Sequence, residues 1–137
     1  MRKSKLIILA IFILGFNIIW EFSHYRLYID LTGIPPTTHL IMASFADLIL
    51  LSFIFSINSI LRKGVNWIEN PKKFDYFVII ILGILIAASI EIYSVSNGRW
   101  AYTESMPTVF GIGISPLIQL FTTGIISLQL AKIWNNK

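Results

Sequence analysis

Four long apolar stretches alternate with three short polar connections, and that pattern predicts the architecture. Each stretch approaches the ~20 residues an α-helix needs to cross a ~30 Å hydrocarbon core. The first, from Leu6 to Trp20, is apolar except at Asn17. No small-residue cleavage site follows it, so it does not read as a signal peptide. Instead WEFSHYRLY continues the helical period, with Asn17, Glu21, His24 and Tyr28 on one face. This predicts a first helix over about 5–28. DLTGIPPTT at 30–38 reads as a loop: Gly33 and Pro35-Pro36 break the helix, and Thr37 or Thr38 is placed to cap the next one.

A second helix over about 39–61 sets His39, Ala43 and Asp47 on one face. RKGVNWIENPKKFD at 62–75 is a basic, polar connection, with Trp67 expected as an interfacial anchor. A third helix over about 74–95 stacks Gly83, Ala87 and Glu91, a spacing typical of packing surfaces. Residues 97–108 return as a loop carrying Asn97, Gly98, Arg99, Trp100, Tyr102, Met106 and Pro107. The fourth helix, over about 112–133, tolerates Pro116 in its first turn and bears a polar stripe of Gln119, Thr123 and Ser127. The expected fold is all-α: an integral membrane four-helix bundle, up-down-up-down, with 1–137 as a single transmembrane domain.

Composition strengthens this reading. The chain is 55% hydrophobic and 13% charged, against roughly 25% charged in a soluble domain. Its mean hydropathy is +0.74. The absence of cysteine excludes thiolate catalysis, cysteine-ligated zinc and disulfide stapling. A net charge of +4 does not point to nucleic acid, because the cations flank the apolar segments. Arg2, Lys3, Lys5, Arg62, Lys63, Lys72, Lys73, Lys132 and Lys137 fall on the side of the termini, and only Arg26 and Arg99 fall on the other. By the positive-inside rule this is a multi-pass cell-membrane protein with both termini cytoplasmic, and the aromatic loops 25–38 and 94–108 face outwards.

Depth along the helices then singles out a set of residues. At 1.5 Å per residue, Glu21, Asp47 and Glu91 all lie roughly 21–22 Å from the cytoplasmic edge. Three acids on three helices share one layer, with His24 and His39 about a turn above and Arg99 overhead. An intramembrane charge costs at least ~2.5–3.5 kcal/mol, so all three acids are expected to face the bundle interior. Glu21, Asp47 and Glu91 are the candidate catalytic residues, because burial and mutual repulsion make a protonated carboxyl available near neutral pH. His24, His39, Arg99, Trp100, Tyr102 and Gln119 are the candidate substrate-binding residues, Arg99 as an anion contact. The aromatic residues also fit an interfacial belt.

Glu21-x-x-His24 has the spacing of a di-iron half-motif, but it occurs once where the full set needs two, so no metal site is assigned. No cofactor motif is present, GIG at 111–113 being too short for a phosphate loop. Ser44 and Ser115 have no Ser-His-Asp context in the sequence and are not read as nucleophiles.

WEFSHYRLY, HLIMASFAD and GRWAYTESMPTVFGIGISPLIQL resemble a family of small four-helix prokaryotic integral membrane proteins. That resemblance spans nearly the whole chain and implies the fold without an activity. A second, partial resemblance is to the heteromeric-type lycopene cyclase domain. It rests on Trp100, Tyr102, Gly111-Ile112, Pro116 and Phe121-Thr122-Thr123. Where that family carries an acidic pair, this chain has Ile118-Gln119, so Glu91 or Glu21 would have to supply the proton.

The expectation drawn from these readings is a polar, outward-facing intramembrane pocket that binds or transforms a lipid or isoprenoid by acid–base chemistry. Membrane lipid is the expected partner, and nucleic acid is not. The competing expectations are a non-enzymatic accessory subunit, with a membrane-protein partner or a second copy of the chain and a structural polar network, and a metal-binding or proton-conducting bundle. The cytoplasmic half offers few polar residues for a conduction path.

Overall fold

A computed structural model describes residues 2–136. Lys137, one of the cations in the orientation count, lies outside them, as does Met1. Four helices make the bundle: α1 (Arg2–His24), α2 (Pro36–Leu61), α3 (Lys73–Ser96) and α4 (Ile114–Asn135). All four are long and apolar enough to cross a membrane. Each packs on its neighbour in the chain, and α4 closes the bundle against α1.

Element ends follow local chemistry. α1 stops at His24 and continues as a single 3-10 turn, Tyr25–Leu27. α2 begins at Pro36, three residues before the expected start, and neither Thr37 nor Thr38 caps it. Proline suits a first helical position because its fixed φ is already helical and no N–H is needed there. His39 thereby enters the first turn of α2, its N–H bonded to Pro35 O at 2.9 Å. α3 is started by Asp75, whose Oδ2 accepts the Lys72 N–H at 2.6 Å.

The half of the bundle nearer the chain ends has a largely apolar core, with Asn58, Asp75 and Ser127 the buried polar residues in it. Leu9 and Ile13 of α1, Leu51, Ile54 and Phe55 of α2, Ile79 of α3 and Leu128 and Ala131 of α4 form its core. Close packing there depends on small residues. A Cβ at Gly83 would lie 3.1 Å from the Phe121 backbone nitrogen, which cannot move aside. Gly83 is thus a packing contact between α3 and α4, as its spacing suggested. Trp67 is not an interfacial anchor. It is buried under the 62–72 connection, edge-on to Phe55, with its indole N–H donated to Ser59 Oγ at 2.8 Å. A nearby hydroxyl acceptor lets the indole be buried without an unsatisfied donor. Outside, Ile7, Ile11, Ile49, Phe53, Phe77, Leu85 and Ile92 are exposed. An apolar exterior is what a lipid-facing surface requires.

The opposite end is capped by two short ribbons where the sequence reading places loops. β1 (Tyr28–Asp30) pairs antiparallel with β2 (Trp100–Tyr102), Tyr28 opposite Tyr102 and Asp30 opposite Trp100. β3 (Thr108–Val109) pairs with β4 (Ile112–Gly113) through a turn whose central residues, Phe110 and Gly111, have φ of 51° and 78°. The first ribbon fastens the α1–α2 connection to the α3–α4 connection and roofs the space between the helices.

Candidate functional site

Beneath that roof lies a cavity of about 310 Å³. Glu21 and His24 reach it from α1, His39 and Asp47 from α2, Glu91 from α3 and Gln119 from α4, with Arg99 and Trp100 from the cap. Its size is at the lower end of the range for small-ligand sites. Eight of the nine candidate residues therefore line one space. Tyr102 stands behind the wall and acts on it through Glu91.

Gln119 joins the floor together. Its Nε2 lies 2.6 Å from Glu21 Oε1, 2.8 Å from Asp47 Oδ2 and 3.2 Å from Asn17 Oδ1. One amide thus serves two carboxyls from two helices. The stripes Asn17–Glu21 on α1 and Gln119–Thr123 on α4 meet face to face, since Thr123 Oγ1 also approaches Asn17 Oδ1 at 3.3 Å. Asn17 is fully buried. These contacts satisfy polar groups that the apolar interior of the bundle would otherwise leave bare.

Glu91 is held separately. Its Oε2 accepts the Tyr102 hydroxyl at 2.6 Å and the Trp100 indole N–H at 3.3 Å. The β2 aromatics therefore turn inward as donors instead of forming an outward belt. Burial pushes the Tyr102 phenol above its ordinary range, and its bond to Glu91 pushes the same way. Burial likewise raises Tyr28, with the charges of Glu91 and Glu21 adding to it. Both phenols stay neutral, and Tyr102 remains the donor to Glu91. Arg99 does not reach Glu91 as an ion pair among the described residues. Its guanidinium packs 5.5 Å from the Trp100 ring centre while its side chain lines the cavity.

The two histidines sit in different settings. His39 Nδ1 bonds Asp30 Oδ2 at 2.5 Å, while Asp30 Oδ1 accepts the Thr32 N–H at 2.9 Å and the Thr32 hydroxyl at 2.6 Å. Partial burial works against the Asp30 charge, but the bonds from Thr32 and His39 outweigh it and hold this carboxyl below its usual range. An ionised Asp30 fixes the His39 ring and leaves Nε2 as the nitrogen available to a ligand. His24 is buried, its ring flanked edge-on by Trp20 and Tyr28. Its Nε2 lies 3.4 Å from Glu21 Oε2, and its Nδ1 lies 2.7 Å from Ser115 Oγ.

Asp30 is not among the residues singled out from the sequence, and Ser115 is set aside there for want of a histidine, which the fold supplies. Asp-x-Thr at 30–32 is a side-chain-to-backbone turn signature that points to an ordered carboxylate. Ser115 is followed by Pro116 at a helix start, a boundary signal that says nothing of a histidine 91 positions away. Ser44 is different: it is fully buried and donates only to Leu40 O within its own helix.

Among the described residues, no group of three or more acids and histidines has the arrangement of a metal site. The arrangement offers paired carboxyls, two oriented imidazoles and neutral phenol and indole donors around one space. Such a set can take, hold and return a proton, and can hydrogen-bond a polar headgroup. No protein-family model, curated protein or solved structure matches the chain.

Proposed function

We propose that this protein binds the polar end of a lipid or isoprenoid in the cavity and transforms it by acid–base chemistry. The supporting observation is a single cavity in which acids from three apolar helices converge beside an apolar, outward-turned rim. Met42 and Ala46 of α2 and Ile90 of α3 line the cavity and are also exposed on the bundle's flank. A ligand with a hydrocarbon tail and a polar end can therefore enter sideways from the bilayer, tail between α2 and α3 and head towards Gln119. A soluble substrate would have no use for such a rim.

In this reading Glu21 and Asp47, bridged by Gln119, form the acid–base pair. Glu91, supported by Tyr102 and Trp100, is the third proton-handling group. His39, oriented by Asp30, and Arg99 hold the head. Both termini are cytoplasmic, so the cap and its cavity belong to the outer half of the membrane.

The test is extraction and mass spectrometry of lipid bound to purified protein, comparing wild type with Ala43→Trp. Ala43 lines the cavity, and an indole there would fill much of it. A defined amphiphile should accompany the wild type near one per chain and be lost from the folded variant. Equal, unselective lipid in both would overturn the proposal and favour a structural polar network.

A further inference from the structure

We propose that Ser115, His24 and Glu21 form a nucleophilic relay that cleaves an acyl ester of a membrane lipid through an acyl-serine intermediate. The proposal rests on the lipid-pocket reading for its substrate, and on three side chains from two helices for its chemistry. Ser115 Oγ is 2.7 Å from His24 Nδ1. His24 Nε2 is 3.4 Å from Glu21 Oε2, within the looser range such relays show before substrate is bound. Glu21 is itself held from the other side, Oε1 accepting from Gln119 at 2.6 Å. Nucleophile, base and orienting acid are thus linked in order, and the acid is fixed at its far end.

The roles follow from the bonding. Glu21 accepts a proton only if it sits on Nε2, and that tautomer leaves the lone pair on Nδ1 facing the Ser115 hydroxyl. Trp20 and Tyr28 confine the imidazole edge-on, at ring-centre distances of 6.4 and 5.2 Å. Ser115 is the second residue of α4, so its own N–H lies in the turn where a helix leaves donors without an internal partner. The Ile114 N–H is already taken by Pro107 O at 2.8 Å, and Pro116 has none. The Ser115 amide is therefore the first-turn donor left to face a developing oxyanion, reinforced by the positive end of the helix dipole.

Position supplies the substrate class. At 1.5 Å per residue from Leu6, His24 lies roughly 27 Å up a ~30 Å core. That is the depth at which glycerolipid esters sit, between acyl chains and headgroups. Ser115 is half-buried, and its neighbours His24 and Pro116 both line the cavity, which puts the hydroxyl at the cavity's edge.

The step balances without a cofactor. Ser115 Oγ attacks the ester carbonyl carbon and its proton passes to His24 Nδ1, giving an imidazolium paired with Glu21. The tetrahedral adduct collapses with cleavage of the bond to the alcohol oxygen, which leaves with the proton from Nδ1. Water then attacks the acyl-serine, giving its proton to His24. Collapse releases the fatty acid, and Ser115 Oγ recovers that proton. Ser115 and His24 are the catalytic residues of this relay, and Glu21 is a positioning residue.

The experiment uses the full chain in detergent with a fluorophosphonate probe, which traps activated serines. Labelling should map by peptide mass spectrometry to Ser115, vanish in Ser115→Ala, and slow about 100-fold or more in His24→Gln. The role of Glu21 is read by ¹⁵N NMR of labelled histidine, which is simple because the chain has two histidines. His24 should be protonated at Nε2 in the wild type and lose that fixed tautomer in Glu21→Gln. A wild-type chain that melts cooperatively and retains its lipid yet is not labelled at Ser115 would overturn the relay and leave the pocket reading standing. Labelling that persists at an undiminished rate in folded His24→Gln would also overturn it, reducing the Ser115–His24 bond to a tie between α1 and α4.

Discussion

Replacing Gln119 with Leu removes one amide that serves two carboxyls at once. Its Nε2 sits 2.6 Å from Glu21 Oε1 and 2.8 Å from Asp47 Oδ2. A hydrogen bond to a charged acceptor contributes roughly 1.5–3 kcal/mol. Bonds between membrane helices average about 0.6 and reach ~1.7 kcal/mol, because the unfolded chain in a membrane finds other partners. Gln119 is 4% exposed, and Leu fills nearly the same volume, so the loss is polar and not a cavity. Two bonds between those limits give about 3 kcal/mol, and the acids left facing each other without the amide between them act in the same direction. The assay is unfolding in mixed micelles titrated with a denaturing detergent, for Gln119→Leu, Asp47→Leu and the double variant. With Asp47 gone, Gln119 has one acid fewer to hold, so the cost of losing it should fall by about 1 kcal/mol or more. Single-variant costs that add to within about 0.5 kcal/mol would refute the shared-donor geometry.

Two further outcomes test the ends of the bundle. Bonds from Thr32 and His39 depress the Asp30 carboxyl, so its contribution is complete above the unfolded value of ~3.9 and is lost as pH falls through the folded one. The difference in melting temperature between wild type and Asp30→Asn should be steady from pH 7 down to about 4 and shrink below it; a gap that persists undiminished at pH 3 contradicts that bonding. Reporter fusions after Lys137 and within 66–70 should both read cytoplasmic, and an external signal from either would invert the placement of the cap.

The helices were legible because helices long and apolar enough to cross a membrane are written as long apolar runs. The acid layer was legible for the same reason. Glu21, Asp47 and Glu91 stand out against hydrocarbon, and a constant rise per residue converts sequence position into depth. Partners were harder. Pairing of Tyr28 with Tyr102 brings together strands of three residues, too short for any alternation to register. Trp100 and Tyr102 have the composition of an interfacial belt, and only the ribbon's register turns them towards Glu91. Arg99 is the cation overhead, yet neutral donors nearer in the fold, Tyr102 and Trp100, hold the Glu91 carboxyl. The Ser115–His24 contact depends on how the ends of α1 and α4 meet, which no local period encodes.

A lipid whose polar end enters the capped cavity by way of the α2–α3 flank leaves a residue-level record. Photo-crosslinking with a lipid carrying a diazirine beside its headgroup, in native membranes or proteoliposomes, reads that occupancy residue by residue. Adducts should concentrate on cavity-lining positions such as Met42, Ala46 and Ile90, and be lost in Ala43→Trp. Adducts spread evenly over lipid-facing residues such as Ile11, Phe53 and Phe77, and unchanged in that variant, would contradict it.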